Sequence, residues 1–341
     1  MPNSSHRNGS KIRLSDIAEE TGFSLATVSK TLNGRSDVAE ETKAIIERTL
    51  RKYGYERRVT PPKKAQPVIE IVFQTFDTLW SLEVLRGVLD KAKQLDLSVN
   101  TTESGDRQRP DSSWVDGILR RQPLGAILIF SNLTNAEKEK LHSHNIPYVI
   151  FDPSGDPAGT KYSVQADNWT GGVIATRHLL SLGHRRIAII TGPGEMMCSK
   201  ARLDGYSSAL SEYGLTTDPE LIMEGDFTMP GGYAQAMELL SNPDRPTAIF
   251  AGSDLQAMGV YEAARQHRLR IPEDLSVVGF DDVQTSAFLG PPLTTVLQPL
   301  QEMAEAAMQL LIDANTQNLG ERHIVMPTSL VVRNSTAPPH A

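Results

Sequence analysis

The sequence predicts a small all-α helix-turn-helix head joined to a two-lobed α/β core, with parallel sheets and a ligand cleft between the lobes. Three observations carry this. Residues 12–55 read as three short helices with a glycine turn between the first two. From Val68 onward, apolar strands alternate with amphipathic helices, the pattern of a parallel sheet covered on both faces. The charge is also split: residues 1–66 hold 13 Lys/Arg and 8 Asp/Glu, whereas the remaining 275 hold 21 and 33. A formal charge of −7 by itself argues against nucleic acid, but a basic head on an acidic body concentrates affinity for a polyanion at one end.

In the head, Leu14, Ile17 and Ala18 recur at i, i+3, i+4 and share one helical face. Gly22 can take the positive φ that a tight turn between helices needs. Ser24 is placed to cap a second helix with Val28 and Leu32 turned inward, and Asn33-Gly34 ends it. Thr42, Ile45, Ile46, Thr49, Leu50 and Tyr53 give a third helix. The outward face of the second helix carries Leu25, Ala26, Ser29 and Lys30. An apolar pair can lie on a thymine methyl, a hydroxyl can reach a phosphate or base, and a lysine can donate to guanine. A plain helical bundle with a polar surface would look similar.

The segment SDIAEETGFSLATVSKTLNG goes further. It resembles the DNA-binding opening of the LacI/GalR family of bacterial transcription regulators, DVA-x-x-AGVS-x-x-TVS-R-x-LNG. The resemblance implies base reading by Leu25, Ala26 and Lys30, and backbone contacts from Ser24, Thr27, Ser29 and Asn33, with Arg35 a further phosphate contact. After Tyr55 comes ERRVTPPKKAQP. Relatives carry a YxPNxxARxL linker here that folds into a short helix and wedges a leucine into the minor groove. Pro61 and Pro62 disfavour that helix, and no leucine is present. The expectation is an extended linker whose Arg57 and Arg58 grip DNA by charge, the alternative being a solvated spacer without DNA contact.

The core begins with the strand VIEIVF, followed by a helix over 82–95, the strand LSVNTT, a helix over 114–121 and the strands GAILIF and IPYVIFD. Asn168 is expected to cap a helix over 169–182. RRIAIITG opens a second series, with helices over 199–213, 231–240 and 255–267 and strands TAIFAG and SVVGFDD. Ligands of such sheets sit beyond the carboxyl ends of the strands. That singles out Gln74, Thr75 and Phe76, then Asp152, Ser253, Asp254, Asp281 and Asp282. Carboxylates that accept vicinal hydroxyls beside aromatic rings make a sugar-like site. Each Asp taken alone reads equally as a helix cap or loop carboxylate.

The family resemblance continues through LGHRRIAIITGP, ARLDGY, AIFAGSDLQAMGVYEAAR, IPEDLSVVGFDD and PPLTTVLQPL, and covers essentially the whole chain. It implies a periplasmic-binding-protein-like core in which Arg202 grips the effector with Asp281 as its partner carboxylate. It also puts Trp80, Asp152, Phe227, Ser253 and Asp254 at ligand-contact positions. Ser253-Asp254 stands where relatives have Asn-Asp, so one amide contact is missing. The LWSLEVLRG and ARLDGY segments resemble those of family members whose effectors are plant-derived oligosaccharides, which implies a xylo- or cello-oligosaccharide. The resemblance also implies a homodimer reading an inverted repeat of double-stranded DNA, most readily as a repressor. NSTAPPHA ends the chain without the extra helix on which tetramers in the family depend.

The expected boundaries are a disordered arm (1–11), the head (12–55), the linker (56–67), the core (68–334) and a tail (335–341). Within the core, lobe 1 takes about 68–165 plus 298–320 and lobe 2 about 166–297 plus 321–334. The arm MPNSSHRNGSK has no apolar centre, unlike a signal peptide, and no apolar run approaches the roughly 20 residues of a membrane helix. The lone Cys198 excludes an internal disulfide and fits a reducing cytoplasm. A carbohydrate-active enzyme and a sugar-binding protein without DNA function are the competing classes. TGPG lacks the third glycine of a dinucleotide loop and any GK[ST], and there is no HExxH, GxSxG or Cys/His cluster. No catalytic residue, cofactor or metal is expected.

Overall fold

The computed structural model describes residues 13–32, 38–53, 66–76, 78–105, 113–129, 133–153, 159–316 and 319–340. The chain divides into two units, 1–65 and 66–341.

The first unit contains helices α1 (Leu14–Thr21), α2 (Leu25–Leu32) and α3 (Glu40–Lys52). Gly22 has φ +72° and closes α1 in the left-handed conformation, as the turn requires. Ser24 Oγ accepts from Thr27 N at 3.1 Å and starts α2. Ile17, Val28, Ile46 and Leu50 form the core, one face from each helix, with Leu14, Ala18, Phe23 and Leu32 packed against it.

In the second unit, β1 (Val68–Phe73), β2 (Ser98–Glu103), β3 (Gly125–Ile129), β4 (Tyr148–Phe151), β5 (Tyr162–Ala166) and β11 (Arg322–Met326) make a parallel sheet ordered β11-β5-β4-β3-β1-β2. Side-chain alternation feeds two cores. Ile69, Ile71 and Phe73 of β1 face helices α4 (Leu79–Gln94) and α11 (Leu300–Thr316), while Val72 faces α5 (Ser113–Arg121) and α6 (Asn135–Ser143). Glu70 on that second face is fully buried, and Arg121 Nη2 donates to it at 2.7 Å, which removes the penalty of an unpaired buried charge.

The second sheet repeats the plan. β6 (Ile187–Thr191), β7 (Ile222–Glu224), β8 (Ala248–Ala251), β9 (Ser276–Asp281), β10 (Thr294–Leu297) and β12 (Ser329–Val331) are ordered β12-β10-β9-β8-β6-β7, with β12 antiparallel to β10. Helices α7 (Asn168–Ser181) and α8 (Met197–Glu212) cover one face, and α9 (Met229–Ser241) and α10 (Asp254–Gln266) cover the other.

The chain therefore crosses between lobes three times: from β5 to α7, from β10 to α11, and from β11 to β12. Asp167 N donates to Met326 O at 2.8 Å and Thr328 Oγ1 to Asp167 O at 3.1 Å, so the first and third crossings are joined.

Several expectations change. Residues 322–326 were assigned to lobe 2, but they pair with β5 in the first sheet. The expected tail is packed: Ser335 is fully buried, its Oγ donates to Val277 O at 2.6 Å, and Ala337 O lies 2.9 Å from His184 Nε2. Asp167, not Asn168, caps α7, its Oδ1 accepting from Thr170 N at 3.0 Å. Helix α6 and strand β5 had no sequence reading. The arm and nearly all of the linker lie outside the described residues.

Helices α7 and α8 meet at glycines. A Cβ on Gly205 would stand 2.3 Å from Trp169 O, and one on Gly172 would stand 2.3 Å from Arg202 O. Because the obstacle is backbone, it cannot rotate away. Gly205→Ala is expected to lower stability by about 1–3 kcal/mol, the usual cost of overpacking, read as a drop in the urea midpoint. An unchanged midpoint would show that the two helices can move apart freely.

Candidate effector cleft and DNA-reading head

Between the lobes lies a cavity of about 430 Å³, within the roughly 300–1,000 Å³ of small-molecule sites. Lobe 1 lends Phe73, Gln74, Trp80, Phe151 and Asp152; lobe 2 lends Met196, Arg202, Phe227, Met229, Ser253 and Asp281. Three helices begin at this cavity, each with a capping hydroxyl from its lining. Ser81 N donates to Thr78 Oγ1 at 3.1 Å, Gly231 N to Thr228 Oγ1 at 3.0 Å, and Gln256 N to Ser253 Oγ at 3.1 Å.

Arg202, on α8, is 4% exposed. Its Nε donates to Asn168 Oδ1 at 2.9 Å and its Nη1 to Gly252 O. The guanidinium lies 3.6 Å from the Phe280 ring centroid and 5.4 Å from that of Phe227, where the ring quadrupoles favour a cation. Phe227 reaches this place with φ +65°, and its ring occupies the space that a Cβ on Gly192 would fill.

Asp281 ends β9 and Asp282 follows it, with φ +116° and +56°. Asp is among the few residues that enter the left-handed region without large cost. The two carboxylates diverge. Asp281 lines the cavity and accepts from Gln298 Nε2 at 2.6 Å, whereas Asp282 lies 2.7 Å from Arg333 Nη2. Burial pushes the Asp281 carboxyl well above the usual range, with Asp254 and Asp152 adding to the rise and Arg202 and Gln298 opposing it. Asp152, with φ +50°, follows the end of β4 on the facing lobe. Burial raises its carboxyl as well, against the charge of Arg202 and a hydrogen bond with Asn168.

Six expected residues thus meet at one cavity: Trp80, Asp152, Arg202, Phe227, Ser253 and Asp281. Asp254 does not join them. It is fully buried one residue beyond the α10 cap, where its carboxylate accepts from Val283 N, Ser286 Oγ and Thr295 Oγ1. It therefore braces lobe 2 from within. Gln74 and Thr75 line the cavity, but Phe76 packs edge-on against Phe73 at 4.9 Å. Met196, Cys198 and Met229 were not anticipated. Met196 and Cys198 follow the end of β6, and the strand-end rule applied there would have found them.

In the head, Leu25 is 52% exposed, Ala26 and Lys30 are exposed, and Ser29 is half-buried on the same helix. Ser24 and Thr27 meet at the α2 start, with their hydroxyls 2.8 Å apart. Asn33, Arg35, Arg57 and Arg58 lie outside the described residues. Among the described residues no helix is long and apolar enough to cross a membrane.

Comparison with known proteins agrees with both units. Residues 13–58 match "Bacterial regulatory proteins, lacI family", and residues 176–336 match "Periplasmic binding protein-like domain". The chain is 33% identical over 329 residues to the HTH-type transcriptional repressor CytR of Escherichia coli K12, covering 95% of this chain and 96% of that protein. It is 30% identical over 330 residues to the ribose operon repressor of the same organism, covering 95% and 99%. Among solved structures, the complex of the transcriptional regulator CelR with cellobiose gives a TM-score of 0.72 at 29% identity, over 95% of this chain and 100% of that one. The lac repressor dimer bound to operator and the anti-inducer ONPF gives 0.71 at 26%, over 96% and 100%. A helix-turn-helix reader followed by a two-lobed α/β core defines a DNA-binding transcription regulator. The chain belongs to the lacI family of bacterial regulatory proteins.

The position of Asp281 has a consequence for stability. A carboxyl whose pKa is raised by folding keeps a proton that the unfolded chain releases. Folding stability therefore falls as pH rises from the ordinary carboxylate pKa near 4 towards the raised value. Asp281→Asn keeps an acceptor for Gln298 and tolerates positive φ, but carries no charge. It is expected to melt higher than the wild type at pH 8 and to lose that advantage at pH 4.5. Equal melting temperatures at pH 8 would contradict the raised pKa.

Proposed function

We propose that this protein is a repressor of carbohydrate-utilisation genes, acting as a homodimer on an inverted-repeat operator in the cytoplasm and controlled by a small sugar bound between the lobes. The observation that carries this is the meeting of Arg202, Asp152 and Asp281 in one cavity with aromatic walls. Carboxylates accept vicinal hydroxyls, the guanidinium donates to ring or hydroxyl oxygens, and Trp80 and Phe227 offer faces for C–H stacking. The ribose operon repressor and the cellobiose-bound CelR support a saccharide, and the latter, with the LWSLEVLRG segment, favours a xylo- or cello-oligosaccharide. The lac repressor dimer on its operator supports the dimer and the paired half-sites. Regulation without catalysis is supported by relatives that are repressors and by a head suited to DNA. A plain sugar-binding protein or a carbohydrate-active enzyme has no use for that head. Arg57 and Arg58 of the linker are assigned to DNA contact by charge.

The test is selection of bound DNA from a random pool, followed by gel shifts with a panel of sugars. An enzyme would consume a sugar, and a plain binding protein would ignore DNA. Two substitutions separate the sites. Lys30→Ala should weaken the selected operator by about 1–3 kcal/mol and leave random DNA unchanged; equal weakening of both would remove Lys30 from base reading. Arg202→Ala should keep operator binding and lose about 1.5–3 kcal/mol of sugar affinity. Loss of operator binding together with the fold would make Arg202 structural instead.

A further inference from the structure

Two charged residues of lobe 2 that line the cleft, Arg202 and Asp281, are each held by an amide side chain on a crossing between the lobes. Asn168 stands at the first crossing, two residues after β5 ends, and is 7% exposed. Its Oδ1 accepts from Arg202 Nε at 2.9 Å and its Nδ2 donates to Ala166 O at 3.2 Å. Gln298 stands at the second crossing, just past β10, and is 4% exposed. Its Nε2 donates to Asp281 Oδ1 at 2.6 Å, and its backbone N donates to Asp281 O at 3.3 Å. The first crossing is joined to the third through Asp167, Met326 and Thr328.

We propose that Asn168 and Gln298 are positioning residues that tie Arg202 and Asp281 to the hinge, so that an effector acting on those two groups acts on the chain crossings as well. This rests on the sugar-cleft reading above. The chemistry of the residues supports it. An amide can accept from a cation with one atom and donate to a backbone carbonyl with the other, which is what Asn168 does. A carboxylate there would add a third buried carboxyl group beside Asp152 and Asp281. An aliphatic side chain would leave Arg202 Nε without its acceptor.

Gln298 adds an independent observation. Its Oε1 is buried and has no hydrogen-bond partner among the described residues, an arrangement that stability alone does not favour. Hinges between lobes are a few residues at the ends of elements, and both amides sit at such ends. A contact at Arg202 or Asp281 thus reaches the hinge through one side chain.

The test has a sugar-free arm and a sugar arm, both on the full chain. In the first, hydrogen exchange is followed by mass spectrometry in peptides spanning 164–170 and 295–301. The variants are Arg202→Met, Asn168→Ala and their double, and Asp281→Gly, Gln298→Met and their double; glycine tolerates the φ at 281. Each single substitution should speed exchange at its crossing by about tenfold, and each double should add little, because the two members act through one bond. Multiplying effects in the doubles, or unchanged exchange in the singles, would overturn the proposal.

In the second arm, operator Kd is measured with and without cellobiose, xylobiose and ribose. Gln298→Met should bind the active sugar within about threefold of the wild-type Kd, while the ratio of operator Kd values with and without sugar collapses towards one. A merely structural Gln298 would lower the melting temperature and leave that ratio intact, which would also overturn the proposal. If none of the three sugars binds the wild type, the sugar reading fails, and the exchange cycles still decide the role of the two amides.

Discussion

Arg202 is a buried cation with no carboxylate of its own. Its hydrogen bonds go to Asn168 Oδ1 and the Gly252 carbonyl, and its flat face lies on Phe280. Burying a charge costs several kcal/mol unless other groups replace the water it loses. Here the replacements are dipoles and a ring, while Asp152 and Asp281 stand near enough to feel the charge without forming an ion pair among the described residues. The negative groups are held back in turn, because burial favours their neutral forms. The result is a set of donors and acceptors aimed into one cavity and not consumed by each other. A polyhydroxyl ligand satisfies such a set; a direct Arg–Asp pair would compete with it.

The fold puts this set between two sheets joined by three short crossings of the chain. The glycines at the contact of α7 and α8 bring the backbone carrying Arg202 close to the helix that leaves the first crossing. Asp254 fixes β10 and the turn after β9 to α10, so the segment bearing Asp281 is tied into lobe 2. The packed C-terminal segment adds to that rigidity through Ser335 and the His184 contacts. Rigid lobes and few connections are what let a contact in the cleft become a change between lobes.

Much of this was legible in the sequence wherever the signal is local. The head helices follow from spacing of apolar residues over one or two turns, and Gly22 and Ser24 mark the turn and cap where the structure has them. The buried strands β1, β3, β4, β6, β8 and β9 are short apolar runs, and the ends of β4, β8 and β9 point to Asp152, Ser253 and Asp281. Strand β5, YSVQA, lacks such a run because one of its neighbours is β11, a strand near the end of the chain; nothing local announces that pairing.

What the tertiary structure alone decided is which neighbouring groups face which way. Ser253 and Asp254 are adjacent, but consecutive residues at a helix start point about 100° apart, so one lines the cleft and the other is buried inside lobe 2. Asp281 and Asp282 diverge because both have left-handed backbone. Asn168 leaves the capping role to Asp167 and meets Arg202, 34 residues away. The sequence by itself determined the two-part architecture and the chemistry available at the strand ends, since periodicity and turn residues act over a few positions. The tertiary structure determined the joining of the cleft to the hinge, since that depends on hydrogen bonds between residues far apart in the chain.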